Sequence, residues 1–179
     1  DLHLSIRRQR QMCIRDRVTA LPEVDESYPD TLSGEEIPLY ISQEKAAAYR
    51  RFMKDNTLLI TADTIVWLDG KVYGKPRDIA DAKAMLQALS GKTHTVITGV
   101  TLTSLQKQIS FAVSTEVTFA ALGDDEIDYY VETYRPLDKA GAYGVQEWIG
   151  YIGVTGLKGS YYNVMGLPIQ RLYTELKKF

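Results

Sequence analysis

A single carboxylate, Asp63, lies within an apolar stretch of the sequence, and a lysine, Lys75, follows at the end of the same stretch. Ile65, Val66 and Trp67 have the β-branched and aromatic character of a buried strand. Burying an ionised carboxylate there costs on the order of several kcal/mol unless a cation, a metal or a hydrogen-bond donor compensates. The pair is therefore a candidate for chemistry that needs a carboxylate and a cation side by side.

The turn between Asp63 and Lys75 predicts how the two approach each other. Asp69-Gly70 is typical of a two-residue β-hairpin turn. Counting back along both strands from this turn places Asp63 opposite Pro76, where the proline ends the ladder of hydrogen bonds. We therefore expect Lys75 to lie near Asp63 without necessarily contacting it. A structural carboxylate held by backbone donors, with an exposed lysine nearby, explains the same residues equally well.

The sequence excludes some familiar phosphate-binding motifs. Residues 70–76 read G-x-x-x-G-K-P, which is one residue short of a P-loop and has proline where the magnesium-binding hydroxyl belongs. Asp63 lacks a second aspartate two residues on, which argues against an aspartyl-phosphate enzyme. Residues 136–150 are glycine-rich without the spacing of a dinucleotide-binding fingerprint, although such glycines permit a ligand to approach the backbone closely.

Two further polar residues have both a functional and a structural interpretation. Lys45 is four residues from both Ile41 and Tyr49, so it lies along the inward stripe of a predicted helix. Its ammonium group could reach a partner in a cleft, or the side chain could simply extend to solvent at the edge of the stripe. Gln146 carries the donors and acceptor that can read the edge of a base, and is equally compatible with a surface position.

The composition narrows the class of protein. The 179 residues, 45% of them hydrophobic, suit one domain with a sizeable core. Residues 18–179 carry 16 basic and 21 acidic side chains, a balance of −5 that gives little support for a nucleic-acid partner. No apolar run approaches the roughly 20 residues needed to span a membrane. One cysteine and two histidines leave a hard cation held by carboxylates as the expected type of metal, and the low cysteine content fits the cytoplasm.

Hydrophobic periodicity and capping residues predict the elements that would position these side chains. A first helix is expected over residues 39–54, with Phe52 among its inward residues, and a second helix begins after Asp78 as N-cap and ends before Gly91. Residues 93–105 and 108–122 alternate as an antiparallel pair of strands. The last elements are a helix over 124–134, a short strand, and a closing helix that begins at Pro168.

Residues 1–17 differ in character from the rest of the chain. They carry five arginines and show neither helical nor strand periodicity. We treat residues 1–17 as a doubtful segment that need not be native, and residues 18–179 as a single domain.

Several blocks, taken in order, resemble the Maf family of nucleoside triphosphate pyrophosphatases. The resemblance covers roughly residues 18–179 and rests on VDES, EKAAAY, ITADTIV, YGKPRD, LSGKTHTVITGV, DKAGAYGVQ and GSYYNVMGLP. It implies an α/β fold like that of inosine triphosphatase, with a twisted mixed sheet flanked by helices and two lobes around a nucleotide-binding cleft. It also implies hydrolysis of a nucleoside triphosphate to the monophosphate and pyrophosphate with a divalent metal, Mg or Mn.

The resemblance assigns roles to individual residues. Asp63 matches the family's catalytic aspartate, the proton acceptor for the attacking water, and Glu26, Lys45 and Lys75 match the other charged residues of the pocket. The two carboxylates, Glu26 and Asp63, would hold the metal and the two lysines would offset phosphate charge.

Two uncharged residues are implied to set base preference. Thr64 and Gln146 resemble the branch of the family that acts on dTTP and UTP rather than 7-methyl-GTP. The alternative is a nucleotide-binding regulator of cell division with weak or lost catalysis. No nucleic acid or membrane partner is expected, and the oligomeric state is left open, a homodimer included.

The N-terminus departs from the family pattern. Members begin with a strand and a Ser-x-Ser-Pro-Arg-Arg loop that contacts the phosphates, whereas this chain has Ser5-Ile6-Arg7-Arg8 without the proline. Arg7 and Arg8 are therefore doubtful phosphate-binding residues.

Overall fold

The computed structural model describes residues 24–179. The predictions for residues 1–17, including Arg7 and Arg8, lie outside this described part. Among residues 24–179, no helix is both long enough and apolar enough to cross a membrane.

The described chain forms five strands and six helices. In chain order these are α1 (Glu36–Arg50), β1 (Leu59–Leu68), β2 (Lys71–Tyr73), α2 (Ile79–Leu89), β3 (Thr93–Thr103), β4 (Gln108–Phe119), α3 (Asp124–Tyr134), α4 (Trp148–Gly153), β5 (Val154–Lys158), α5 (Tyr161–Val164) and α6 (Ile169–Leu176). A single 3-10 turn covers Ala140–Ala142.

The strands form one open sheet in the order β2-β1-β3-β4-β5. The predicted α/β class with flanking helices is confirmed. All four pairings among the described strands are antiparallel, so the mixed pairing that was expected does not occur within residues 24–179. Short hairpins join β1 to β2 and β3 to β4, whereas β1 reaches β3, and β4 reaches β5, through longer connections that contain helices. The division into two lobes stays a prediction.

The hairpin that joins β1 to β2 has the predicted register. Leu68 pairs with Lys71, and the turn residues Asp69 and Gly70 both have positive φ angles, of 52° and 77°. Positive φ at both positions is the geometry of a type I′ turn, which glycine adopts without strain. The turn therefore fixes which residues of β1 face each side of the sheet.

The two faces of the sheet are covered by different helices. On one face, Ile65 and Ile97 pack against Ile37 and Ile41 of α1. On the other face, Val66 belongs to the larger core, which includes residues of α2, α3 and α4. Because side chains alternate along a strand, Asp63, two residues before Ile65, lies on the face covered by α1.

The helix predictions were accurate where local signals decide the ends. Asp78 caps α2, its side chain accepting a hydrogen bond from the backbone N–H of Asp81 at 2.8 Å, and Gly91 follows the helix with φ of 68°. The bounds of α1 were wrong. It begins before Pro38, which is tolerated in a first turn, and it ends at Arg50, so Phe52 is 60% exposed instead of inward.

The end of the chain differs from the prediction in detail. The closing helix α6 begins at Ile169, and Pro168 precedes it as the capping residue. The short helices α4 and α5 were not predicted. Both have fewer than seven residues, too few for a helical hydrophobic period to be recognised.

Candidate active site

Four charged side chains from separate parts of the chain form a continuous row. Lys45 Nζ lies 2.7 Å from Asp63 Oδ1 and 2.9 Å from Glu26 Oε1. Lys75 Nζ lies 2.6 Å from the other oxygen of the same glutamate, Glu26 Oε2. The order is therefore Asp63, Lys45, Glu26, Lys75, with charges that alternate in sign, and we call these residues the charged row.

The charged row runs from the interior to the surface. The exposed fraction of the side chain rises from 11% for Asp63 to 19% for Lys45, 39% for Glu26 and 52% for Lys75. Asp63 is thus the most protected carboxylate of the row, while Lys75 and Glu26 face solvent. A ligand arriving from solvent would meet the outer pair first.

The sheet and α1 position the inner pair. Asp63 of β1 is paired with Gly99 of β3. A methyl group on Gly99 would lie 2.4 Å from the backbone of Pro38, so only glycine allows α1 to approach the sheet this closely. The close approach brings Lys45, two turns further along α1, over the carboxylate of Asp63.

Two irregular segments supply the outer pair. Glu26 belongs to the segment that precedes α1, and this segment is held by Tyr28 and Leu32, which pack against the apolar cluster between α1 and the sheet. Lys75 follows β2, and the carbonyl of the preceding Gly74 accepts a hydrogen bond from the backbone N–H of Gly141 at 3.0 Å. Lys75 contacts Glu26, which Lys45 in turn links to Asp63, and the direct approach of Lys75 to Asp63 stays a prediction.

Burial and ion pairing set the protonation of the row. Burial raises the pKa of Asp63 above its usual range, because it outweighs the attraction of Lys45. Burial alone would lower the pKa of Lys45, but the charges of Asp63 and Glu26 outweigh it and raise the pKa. Partial burial would raise the pKa of Glu26, but hydrogen bonds from Lys75 and Lys45 together lower it. The pKa shifts of the two carboxylates therefore have opposite directions, and the shift at Asp63 makes it a stronger base than an exposed aspartate.

The donor set of the row fits a hard divalent cation. Glu26 and Asp63 each place an oxygen within 3 Å of the same Lys45 nitrogen, so both carboxylates converge on one point. Within residues 24–179 there is no cluster of three or more histidine, cysteine, aspartate or glutamate side chains suited to a metal. Two carboxylates suffice for Mg²⁺ when phosphate oxygens and water complete its coordination.

Thr64 lies on the opposite face of β1 from Asp63. Its hydroxyl is 2.9 Å from that of Thr98, which in turn donates to the backbone carbonyl of Asn163. The fully buried Asn163 is tied to β3 by a hydrogen bond from its amide to the carbonyl of Val96. The structure thus connects Thr64 to the segment after β5 and not to the charged row.

Gln146 is exposed on the loop between the 3-10 turn and α4. Tyr130 of α3 holds this loop, because its hydroxyl donates a hydrogen bond to Glu147 at 2.5 Å and accepts one from the backbone N–H of Gly144 at 3.1 Å. Tyr151 donates to the carbonyl of Gln146 itself. The loop is therefore fixed on both sides of Gln146, although none of these contacts joins it to the charged row.

The glycines of this loop serve internal packing. A methyl group on Gly141, which has φ of 67°, would lie 2.8 Å from Val66, and one on Gly144 would lie 2.8 Å from Glu147. Within residues 24–179 these glycines allow close contact between parts of the chain, and the expected approach of a ligand to this backbone stays a prediction. Sequence reasoning also missed Tyr130 and Glu147, because no spacing pattern relates residues that meet only through the fold.

The chain matches known proteins over nearly its whole length. A family model described as Maf-like protein matches residues 5–179. A protein of Phocaeicola vulgatus named dTTP/UTP pyrophosphatase is 66% identical over 92% of this chain and 86% of its own length. Proteins of the same name from Bacteroides fragilis and Flavobacterium psychrophilum are 63% and 48% identical, over 90% and 87% of this chain and 83% and 80% of their own lengths.

Proposed function

The chain belongs to the Maf family, and on this premise we propose that it is a nucleoside triphosphate pyrophosphatase that converts dTTP and UTP to the monophosphate and pyrophosphate. The observation that carries the proposal is the charged row. It brings a buried carboxylate, a second carboxylate and two lysines together from four separate parts of the chain. The names of the relatives supply the reaction and the bases.

Each member of the row has a role that its surroundings support. Asp63 accepts the proton of the attacking water, since burial raises its pKa and makes it a stronger base than an exposed aspartate. Lys45 and Lys75 offset the negative charge that develops on the phosphates as the bond between the α and β phosphates breaks. Glu26 lies between the two lysines and holds both in place until substrate binds.

A divalent cation, Mg or Mn, is part of the proposal. Glu26 and Asp63 are the residues that would hold it, together with phosphate oxygens of the substrate. When bound, the cation would neutralise phosphate charge and favour ionisation of a bound water.

The base preference rests on Gln146 and Thr64. Gln146 is exposed and its backbone is fixed, which suits a side chain that must meet an incoming base. Its amide can both donate to and accept from the O4/N3 edge of uracil or thymine. Thr64 acts through the segment that contains Asn163, to which it is connected by hydrogen bonds.

The cellular setting belongs to the same proposal. A nucleotide substrate and the low cysteine content favour the cytoplasm. We propose that the protein acts without a nucleic acid or membrane partner. A homodimer remains one of the arrangements to be tested by sedimentation.

A substrate panel tests the function directly. Pyrophosphate release is measured with UTP, dTTP, ATP and 7-methyl-GTP, with Mg²⁺, with Mn²⁺ and with a chelator. We expect turnover of UTP and dTTP that requires the metal. Tight nucleotide binding without turnover would instead favour a regulator of cell division, and a preference for 7-methyl-GTP would overturn the base assignment.

A second protein with a family-type N-terminus tests whether residues 1–17 limit activity. In it, residues 1–17 are replaced by a strand and a Ser-x-Ser-Pro-Arg-Arg loop. If that protein hydrolyses UTP or dTTP and the original chain does not, the defect lies in residues 1–17, and the charged row keeps its proposed roles.

A further inference from the structure

A line of hydroxyl groups crosses the sheet beneath α1, buried at Thr61 and Thr101 and half-buried at Ser110. Thr61 of β1 pairs with Thr101 of β3, which pairs with Ser110 of β4. The hydroxyls of Thr101 and Ser110 are 2.9 Å apart. Ser42 of α1 lies above this line, and its hydroxyl is 2.9 Å from that of Thr101. The helix therefore meets the sheet here through polar groups instead of side-chain packing alone.

One of these hydrogen bonds joins α1 directly to β1. The hydroxyl of Thr61, which is 7% exposed, donates to the backbone carbonyl of Ser42 at 2.7 Å. Thr61 precedes Asp63 by two residues, so both side chains are on the same face of β1. Ser42 precedes Lys45 by three residues, so both lie on the same side of α1. The Thr61–Ser42 bond and the Lys45–Asp63 ion pair are thus neighbouring links between the same two elements.

We infer that Thr61 is a positioning residue that holds Lys45 over Asp63. The helix α1 sets the point from which the Lys45 side chain starts, and therefore which rotamers can bring its ammonium group to Asp63. The apolar contacts of Ile37 and Ile41 with the sheet are not directional and tolerate small shifts. The hydrogen bond from Thr61 is directional and fixes one point of the helix backbone, a single turn from Lys45.

The catalytic half of this inference rests on the proposed function, in which Lys45 and Asp63 act on substrate. A displacement of about 1 Å in a reacting group can cost about 10²-fold in rate. Loss of the Thr61 hydrogen bond should therefore lower the rate of the chemical step more than substrate binding, which Lys75 and the outer part of the row also support.

The chain offers a matched control in Thr103. It lies on β3 two residues after Thr101, on the same face of the sheet, and is 0% exposed. Its hydroxyl finds no hydrogen-bond partner among residues 24–179. Replacing Thr103 with valine therefore removes a buried threonine hydroxyl that makes no link to α1.

The first experiment compares Thr61→Val, Thr61→Ser and Thr103→Val in pyrophosphate release from UTP. Thr61→Val should lower kcat about 10-fold with KM changed less than about twofold. Thr61→Ser keeps the donor and should restore most of kcat, and Thr103→Val should match the parent protein. A Thr61→Val protein that melts earlier but keeps its kcat would overturn the inference, because it would show a purely structural role.

The second experiment does not require activity. Melting temperatures are measured for the parent, Thr61→Val, Lys45→Met and the double variant. If Thr61 positions Lys45, the two substitutions are coupled, and the melting temperature of the double variant falls by less than the sum of the decreases in the two single variants. Additive losses would overturn the inference. If no triphosphate is hydrolysed by the parent, the proposed function fails, and this cycle still decides the role of Thr61.

Discussion

The buried histidine His94 predicts a loss of stability in mildly acidic solution. Its side chain is 2% exposed, and its Nε2 lies 2.7 Å from the hydroxyl of Tyr143. The ring also packs edge-on against Phe119, and its Nδ1 finds no hydrogen-bond partner among the described residues. This environment suits the neutral imidazole, and burial lowers the pKa of His94 from 6.5 to about 4.

The magnitude follows from this pKa difference. The unfolded chain takes up a proton on His94 as the pH falls below 6.5, whereas the folded protein does so only near pH 4. The stabilisation is therefore complete above pH 6.5 and is lost as the pH falls from there to about 4. Each pH unit within this window lowers the free energy of unfolding by about 1.4 kcal/mol. The loss is therefore about 2 kcal/mol near pH 5 and about 3 kcal/mol over the whole window.

Urea unfolding of the parent protein and of His94→Gln, followed by tryptophan fluorescence, measures this loss. Both proteins share the contributions of their carboxylates, so the difference between the two stability curves isolates His94. We expect the free energy of unfolding of the parent to approach that of the variant as the pH falls from about 7.5 to 5. Two curves that run parallel over this range would refute the assignment of a buried neutral imidazole.

Three predictions concern the charged row and base choice. Asp63→Asn should lower kcat by about 10²–10⁴-fold without lowering the melting temperature, because burial disfavours the charge that the substitution removes. Asp81→Asn, which removes a carboxylate at the surface, is the control. An Asp63→Asn protein with more than about a tenth of the parent's activity would contradict the role of Asp63 as the base. Lys45→Ala should reduce kcat/KM. Lys83→Ala also removes a lysine between two carboxylates and should leave kcat/KM unchanged. If Lys45→Ala only lowers the melting temperature, the role of Lys45 is structural. Gln146→Ala should lower kcat/KM for UTP and dTTP more than for ATP, and an equal loss for all three would remove its base-reading role.

Local signals in the sequence predicted the parts of the fold that depend on a few neighbouring residues. The Asp69-Gly70 turn sets the β1–β2 register, and Asp78 caps α2, because in each case the deciding contacts lie within four residues. The end of α1 could not be predicted in this way. Phe52 continues the apolar pattern of the helix, but it is exposed because the chain has already turned toward β1.

The sequence predicted the four residues of the candidate site, which the structure brings together, but not how they are arranged. The apolar surroundings of Lys45 and Asp63 in the sequence indicated a possible functional role for both, and the family resemblance added Glu26. No sequence pattern indicated that one lysine would bridge both carboxylates, since that depends on how closely α1 approaches the sheet. Tyr130 and Glu147 gave no signal at all, because their contact forms only when α3 packs beneath the loop.

The close approach of α1 at Gly99 has a consequence for how the protein can tolerate mutation. The spacing between helix and sheet is set there by contact between two backbones, which cannot repack as side chains can. Substitutions such as Ile41→Val in the apolar layer would cost about 0.5–1.5 kcal/mol of stability, yet leave that spacing unchanged. The distance between α1 and the sheet at the Lys45–Asp63 pair is thereby kept when the apolar layer changes, while the position of α1 along the sheet still depends on the Thr61 hydrogen bond.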